Sequence, residues 1–319
     1  MTENRPFGRL ALIGCGLIGS SIARAARASG ACDSIVATAQ SAATRHRIAA
    51  LGLADRIAPT GAEAVEDADL TIVCVPVGRS GEVAAEIGPR LKPGAVVSDV
   101  GSVKASVLSA MAPHFGPEIH FIPAHPVAGT EHSGPDSGFA ELFVNRWCIL
   151  TPPAGADPAA VDRLAWFWRA LGAQVETMSA EHHDLVLAIT SHVPHLIAYT
   201  IVGTAEDLQT VTRSEVMKFS AGGFRDFTRI AASDPTMWRD VFLANREAVL
   251  EMLGRFNEDL AALARAIRWG DGEALFDLFA RTRAIRRGIV EIGQDSGRAD
   301  FGRTHGPLPP LPRPYASES

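Results

Sequence analysis

The chain has 319 residues, 47% of them hydrophobic and 21% charged, with a net charge of −6 and a mean hydropathy of +0.10. This length suits two domains of ordinary soluble composition. The mildly acidic balance gives no support for a nucleic-acid partner, since nucleic-acid-binding proteins usually carry a basic stripe to neutralise phosphates.

Residues 7–13 form a short apolar run leading into Gly14-Cys15-Gly16-Leu17-Ile18-Gly19, and small residues at helical spacing follow over 20–29. Strand, glycine turn and helix is the order of a dinucleotide-binding unit. Glycines allow a tight turn and close backbone approach, and the helix N-terminus offers free N–H groups to a pyrophosphate. The interrupting glycines also argue against a secretory leader over 10–21. A second strand, 34–38, ends where NAD-binding chains carry an acidic residue, but Ala39 and Gln40 stand there, with Ser41 and Arg45 nearby. The missing carboxylate weakens strict NAD selectivity and leaves NADP open.

Residues 69–76 predict another buried parallel strand, placing Val75 and Pro76 beside the cofactor. Helical spacing over 80–91 is stopped by Lys92-Pro93-Gly94, and strand 95–99 leads into Gly101-Ser102-Val103-Lys104. Ser102 either caps the next helix or faces the cleft. A strand over 119–123 then delivers Ala124-His125-Pro126-Val127-Ala128-Gly129-Thr130-Glu131. Repeated strand–helix units imply a doubly wound parallel sheet of Rossmann type, with ligands beyond the carboxyl ends of its strands. His125, at such an end, is a candidate general base. Further strands are expected at 147–150 and 174–178 around a helix at 158–171, and the domain ends near 178.

From 179 the alternation of strands ceases, so an all-α C-terminal (dimerisation) domain is expected over 179–294, followed by a disordered tail, 295–319. The apolar stretch 185–203 contains two histidines, a proline and hydroxyls, so it reads as a buried helix and no membrane span is expected. It lies in a helix over 181–207 that holds Ser191-His192-Val193-Pro194-His195. Ser191 and His195 share a face, His192 points elsewhere, and Pro194 bends the helix. No third ligand joins the two histidines, and Cys15, Cys32, Cys74 and Cys148 lack paired spacing. Neither metal nor disulfide is therefore expected, and a reducing, cytoplasmic setting follows.

Gly222-Gly223 suggests a turn near a ligand or another segment. Arg229, among apolar neighbours, is expected to be partly buried, where a guanidinium must find an anion. Asp234-Pro235 starts one long helix. Its apolar stripe, from Trp238 to Ile267, is wider than a monomer needs and suggests a homodimer. The last helix is expected over 273–290.

Over residues 7–293 the chain resembles the prephenate and arogenate (cyclohexadienyl) dehydrogenases of tyrosine biosynthesis. The likeness rests on the 14–19 glycines, on 101–104, on His125-Pro126-x-Ala128-Gly129, on 191–195, and on Phe227-Thr228-Arg229-Ile230-Ala231 followed by Trp238. It implies oxidative decarboxylation of prephenate or arogenate, with His125 catalytic and Ser102 orienting it or the substrate hydroxyl. Arg229 would take a substrate carboxylate, and His195 and Ser191 would line the pocket. Thr130, Glu131, Gly222 and Trp238 would shape it. Gly14, Gly16, Leu17, Ile18, Gly19, Ala39, Gln40, Val75, Pro76 and Gly101 would hold the cofactor, which the resemblance makes NAD, the commoner partner in bacterial members of the family. Two alternatives are a β-hydroxyacid dehydrogenase, for which Lys218 lacks glycine-rich helical surroundings, and a non-catalytic dinucleotide sensor, which would not need so many polar pocket residues.

Overall fold

The structure, a computed structural model, describes residues 6–130, 132–207 and 221–291. Glu131, Lys218 and the tail expected to be disordered lie outside the described residues. Contacts divide the chain into two compact units, Met1–Met252 and Leu253–Ser319.

The first unit is built on a six-stranded parallel sheet: β1 (Arg9–Ile13), β2 (Ser34–Thr38), β3 (Arg56–Ile57), β4 (Leu70–Val73), β5 (Val96–Asp99) and β6 (His120–Phe121). Their order is β3-β2-β1-β4-β5-β6. Side chains alternate across a strand, so Leu10 and Leu12 enter one core while Ala11 and Ile13 enter another on the opposite face. Burial on both faces explains why β1 reads as a continuous apolar run. The intervening helices are α1 (Leu17–Ser29), α2 (Ala42–Ala50), α3 (Gly61–Ala64), α4 (Ser80–Ile87) and α5 (Ala105–Met111). The strand order reverses between β1 and β4, which opens a ligand crevice at their carboxyl ends.

Residues 119–123 do not run as one strand up to His125. Pro123 has no N–H to extend a ladder, and after it the chain leaves the parallel sheet. His125 lies within β7 (Ala124–Pro126), which pairs antiparallel with β8 (Trp147–Leu150), and β8 pairs parallel with β9 (Gln174–Thr177). Between these last two strands α6 (Pro158–Ala170) buries Phe167 and Trp168, with Phe143 against the Trp168 ring at 5.4 Å.

The helices that follow begin with α7 (Ala180–Leu187), a π-helical turn at Ala188–His192, and α8 (Val193–Asp207). Pro194 cannot donate to the Thr190 carbonyl and its ring would crowd it, so the wider turn before it replaces a simple bend. Together Ala180–Asp207 is long and apolar enough to cross a membrane. It is less buried than expected, with Ile189, Ile201 and Val202 exposed, while His183, Asp184 and His192 are turned inward.

The paired glycines form no turn: α9 (Gly222–Thr228) starts on them and passes into a 3-10 turn, Arg229–Ala232. Asp234 caps α10 (Pro235–Ala244) as expected, its Oδ1 accepting from the Thr236 and Met237 amides. The single long helix expected from there is broken at Asn245 (φ −108, ψ 32), and α11 (Arg246–Trp269) begins after it. Asn245 is only 4% exposed because its amide is drawn into the interior.

In the second unit the rest of α11 is followed by α12 (Gly272–Glu291), and Ile267, Trp269, Phe276, Phe279 and Ile285 are all more than half exposed.

Candidate active site

The glycine loop divides into two roles. Gly14 has φ +94, and a Cβ there would meet the Cys74 carbonyl at 2.6 Å; one on Gly19 would meet the Gly14 carbonyl at 2.3 Å. Both are demanded by packing of β1, α1 and β4. Gly16 has nothing within 4 Å of its would-be Cβ, and it precedes α1 without any side-chain cap. The space over Gly16 and the free amides of α1 therefore fit a pyrophosphate approaching from outside.

A groove of about 430 Å³ continues from there, lined by Gly14, Gly16, Ala39, Gln40, Val75 and Pro76 among others. Leu17, Ile18, Gly19 and Gly101 do not line it. Arg45 and Arg79, also on its walls, are engaged: Arg45 donates to the carbonyls of Ala39 (2.7 Å) and Gln40 (3.0 Å), and Arg79 to Glu82. The Ser41 hydroxyl is equally occupied, capping α2 through the Thr44 amide.

His125 sits at the other side of the β5 end. β7 is fastened there by a buried ion pair: Lys104 Nζ donates to Asp99 Oδ2 at 2.5 Å and to the Ala124 carbonyl at 2.7 Å, while Asp99 Oδ1 accepts from the Ala124 amide. Asp99 also accepts from the Gly101 amide, and a Cβ on Gly101 would approach its carboxylate to 3.0 Å. Burial drives the Lys104 pKa down, with Asp99 opposing.

His125 is 8% exposed, and its Nδ1 lies 2.9 Å from Nε2 of the fully buried His183. His183 Nδ1 faces Asp184 Oδ1 at 2.8 Å. Asp184 in turn accepts from the amides of Lys104 (2.7 Å) and Ala105 (2.9 Å). Ser102, half-buried, therefore does not cap α5; that work falls to Asp184 from another helix. Desolvation, then the neighbouring His183, Lys104 and His192, hold the His125 pKa well below the ordinary histidine value. The ring is neutral at physiological pH and able to take a proton.

A second cluster lies on the helices. His195 stacks on Trp238 with ring centroids 3.6 Å apart, and its Nδ1 donates to the Ser191 carbonyl. Its remaining nitrogen can then only accept while the ring is neutral. Burial lowers its pKa, and the Arg229 charge lowers it further, which places Arg229 in this neighbourhood. Arg229 is exposed, contrary to the expected partial burial: it opens a short 3-10 turn none of whose residues is buried. The buried Trp238 indole N–H has no hydrogen-bond partner among the described residues.

His192 is fully buried and links the clusters: its charge state is felt by His125, and that of His195 by His192. Its Nδ1 is 3.0 Å from Asn245 Nδ2, which also donates to the Asp184 carbonyl at 2.8 Å. Gly222 meets only loose contacts at the start of α9, and Thr130 accepts from the His132 amide. The residues that sequence reasoning missed are His183, Asp184, Asn245 and the Asp99–Lys104 pair. A His-Asp couplet immediately before the apolar run from Leu185 was the available signal for the first two.

Residues 22–177 match the family profile described as prephenate dehydrogenase, nucleotide-binding domain, and 179–281 match prephenate dehydrogenase, dimerization domain. A cyclohexadienyl dehydrogenase of Zymomonas mobilis is 43% identical over 282 residues, 88% of this chain and 95% of that protein. A prephenate dehydrogenase of Bacillus subtilis is 31% identical, covering 90% of this chain and 77% of the relative. The crystal structure of prephenate dehydrogenase from Aquifex aeolicus with hydroxyphenyl propionate and NAD+ superposes with a TM-score of 0.84 at 31% identity, over 90% of this chain and 100% of that one. With two family profiles in tandem and relatives matched along most of their length, the chain belongs to the prephenate dehydrogenase family.

Proposed function

We propose that the chain oxidatively decarboxylates a cyclohexadienyl substrate, prephenate or arogenate or both, giving 4-hydroxyphenylpyruvate or tyrosine in tyrosine biosynthesis. The observation that carries this is a buried, neutral His125 beside the carboxyl ends of a dinucleotide-binding sheet. Bound NAD would supply the hydride acceptor for C4. His125 takes the C4 hydroxyl proton as that carbon is oxidised. The C1 carboxylate then leaves as carbon dioxide, its bonding pair aromatises the ring, and His125 returns the proton to the phenol oxygen.

In this reading Ser102 faces the same hydroxyl. Arg229 binds a substrate carboxylate through its planar fork, and His195, held by Ser191 and Trp238, forms a wall of the pocket. Gly222 and Thr130 shape its margins. NAD is favoured over NADP because the groove's guanidinium groups, Arg45 and Arg79, are already committed to Ala39, Gln40 and Glu82. A domain division at 178, cytoplasmic placement and a homodimer complete the proposal. The last is supported by the description of the matched C-terminal profile and by the apolar side chains exposed on α11 and α12.

Steady-state rates with prephenate and arogenate, each with NAD and NADP, test the reaction by absorbance of the reduced nicotinamide. His125→Asn is expected to keep NAD affinity and lose about 10²–10⁴-fold in kcat. Unchanged turnover in the folded variant would remove His125 from the chemistry.

A further inference from the structure

We propose that His183 and Asp184 are positioning residues that set the tautomer of His125 and share the proton it takes up. This rests on the reading of His125 as the base.

The argument follows donors and acceptors inward. Asp184 is 5% exposed, and its carboxylate accepts from the amides of Lys104 and Ala105. A carboxylate can only accept, so the 2.8 Å contact to His183 requires the hydrogen to be on His183 Nδ1. A neutral His183 then has a bare Nε2, and this is the atom 2.9 Å from His125 Nδ1. The hydrogen of that bond therefore belongs to His125. The consequence is a bare Nε2 on His125, the nitrogen left to receive the substrate proton.

The surroundings keep the chain neutral at rest. Desolvation lowers the His183 pKa against the opposing pull of Asp184 and Asp99, and the Lys104 ammonium lowers it further. His192, kept as an acceptor at Nδ1 by Asn245, is the other titratable ring facing His125. Once His125 is protonated, its Nδ1–H can shift toward His183, bringing the charge next to Asp184. The cation formed in a buried site is thereby spread toward a fixed anion, as in other base–orienter pairs.

The test uses the full chain with 15N-labelled histidine. In the resting wild type, the His125 signals, identified by their loss in His125→Asn, are expected to show a protonated Nδ1 and an unprotonated Nε2. His183→Ala removes the acceptor and is expected to lower kcat about 10²-fold with KM and NAD affinity within about two-fold. In His183→Gln an amide oxygen lies near the lost Nε2, so the tautomer is kept and kcat returns to within about ten-fold of wild type. Should His183→Ala not fold, the wild-type tautomer and the His183→Gln kcat decide. A proton on His125 Nε2 in the wild type, or unchanged kcat in folded His183→Ala, overturns the proposal. The NMR reading needs no substrate. A wild type with the expected tautomer but no cyclohexadienyl turnover would thus overturn the assigned reaction and leave the hydrogen-bond chain standing.

Discussion

Lys104 Nζ donates to the Ala124 carbonyl at 2.7 Å, and Ala124 is the residue before His125. Since Asp99 takes the Ala124 amide as well, both backbone groups of that residue are held by one buried ion pair. Removing one member leaves the other charged and dry. Lys104→Met is therefore expected to cost about 3–5 kcal/mol in urea unfolding. Adding Asp99→Asn should recover part of the loss, because it removes the orphaned charge. A Lys104→Met protein as stable as wild type would show that the pair does not hold β7.

Arg229 is expected to act on substrate and not on cofactor. A charge-assisted contact to a carboxylate contributes about 1.5–3 kcal/mol, so Arg229→Ala should raise the substrate KM about 10- to 100-fold. NAD affinity, measured by titration without substrate, should stay unchanged. Equal weakening of both would mark Arg229 as structural. Its exposure makes a large loss of stability unexpected.

Much of the fold was legible because its signals are local. Residues 34–38 and 147–150 read as strands from their apolar character, and Asp234-Pro235 marks a helix start by capping chemistry alone. The parts that were not legible depend on distant partners. Pro123 marks a break, but nothing nearby says that His125 then joins β8 and not β6. Asn245 looks like an ordinary polar position until Asp184 and His192 are placed beside it. The same holds in the site. His125 was readable from its motif, whereas His183 lies 58 residues further along the chain and follows His182, which is exposed.

The buried histidines fix a pH dependence of stability. His192 is pushed down to about 4, mainly by burial, and the shifts of His125, His183 and His195 have the same direction. Between about pH 4 and the unfolded value near 6.5 the unfolded chain binds more protons than the folded one, so stability rises with pH there. It is fully present above that window and is lost as pH falls through it, with His192 alone worth on the order of 3 kcal/mol. Urea midpoints should fall between about pH 7 and 5. Initial rates should hold level through about pH 6.5, since His125 stays neutral below its ordinary value. An acid limb centred on the ordinary histidine pKa would contradict the burial of His125.

Two glycines two residues apart in the same loop should respond in opposite ways to alanine. At Gly14 the added Cβ meets the Cys74 carbonyl and the backbone is at φ +94, so Gly14→Ala should destabilise the cofactor-free protein by about 1–3 kcal/mol. At Gly16 the added Cβ meets nothing and the backbone is at φ −76, so Gly16→Ala should leave cofactor-free stability within about 0.5 kcal/mol of wild type. What the methyl fills is the space above the free amides of α1. NAD affinity, followed by quenching of tryptophan fluorescence, should then fall at least about ten-fold in Gly16→Ala. If Gly16→Ala bound NAD as tightly as wild type, the pyrophosphate could not lie over Gly16, and the groove lined by Ala39 and Val75 would need a different entry.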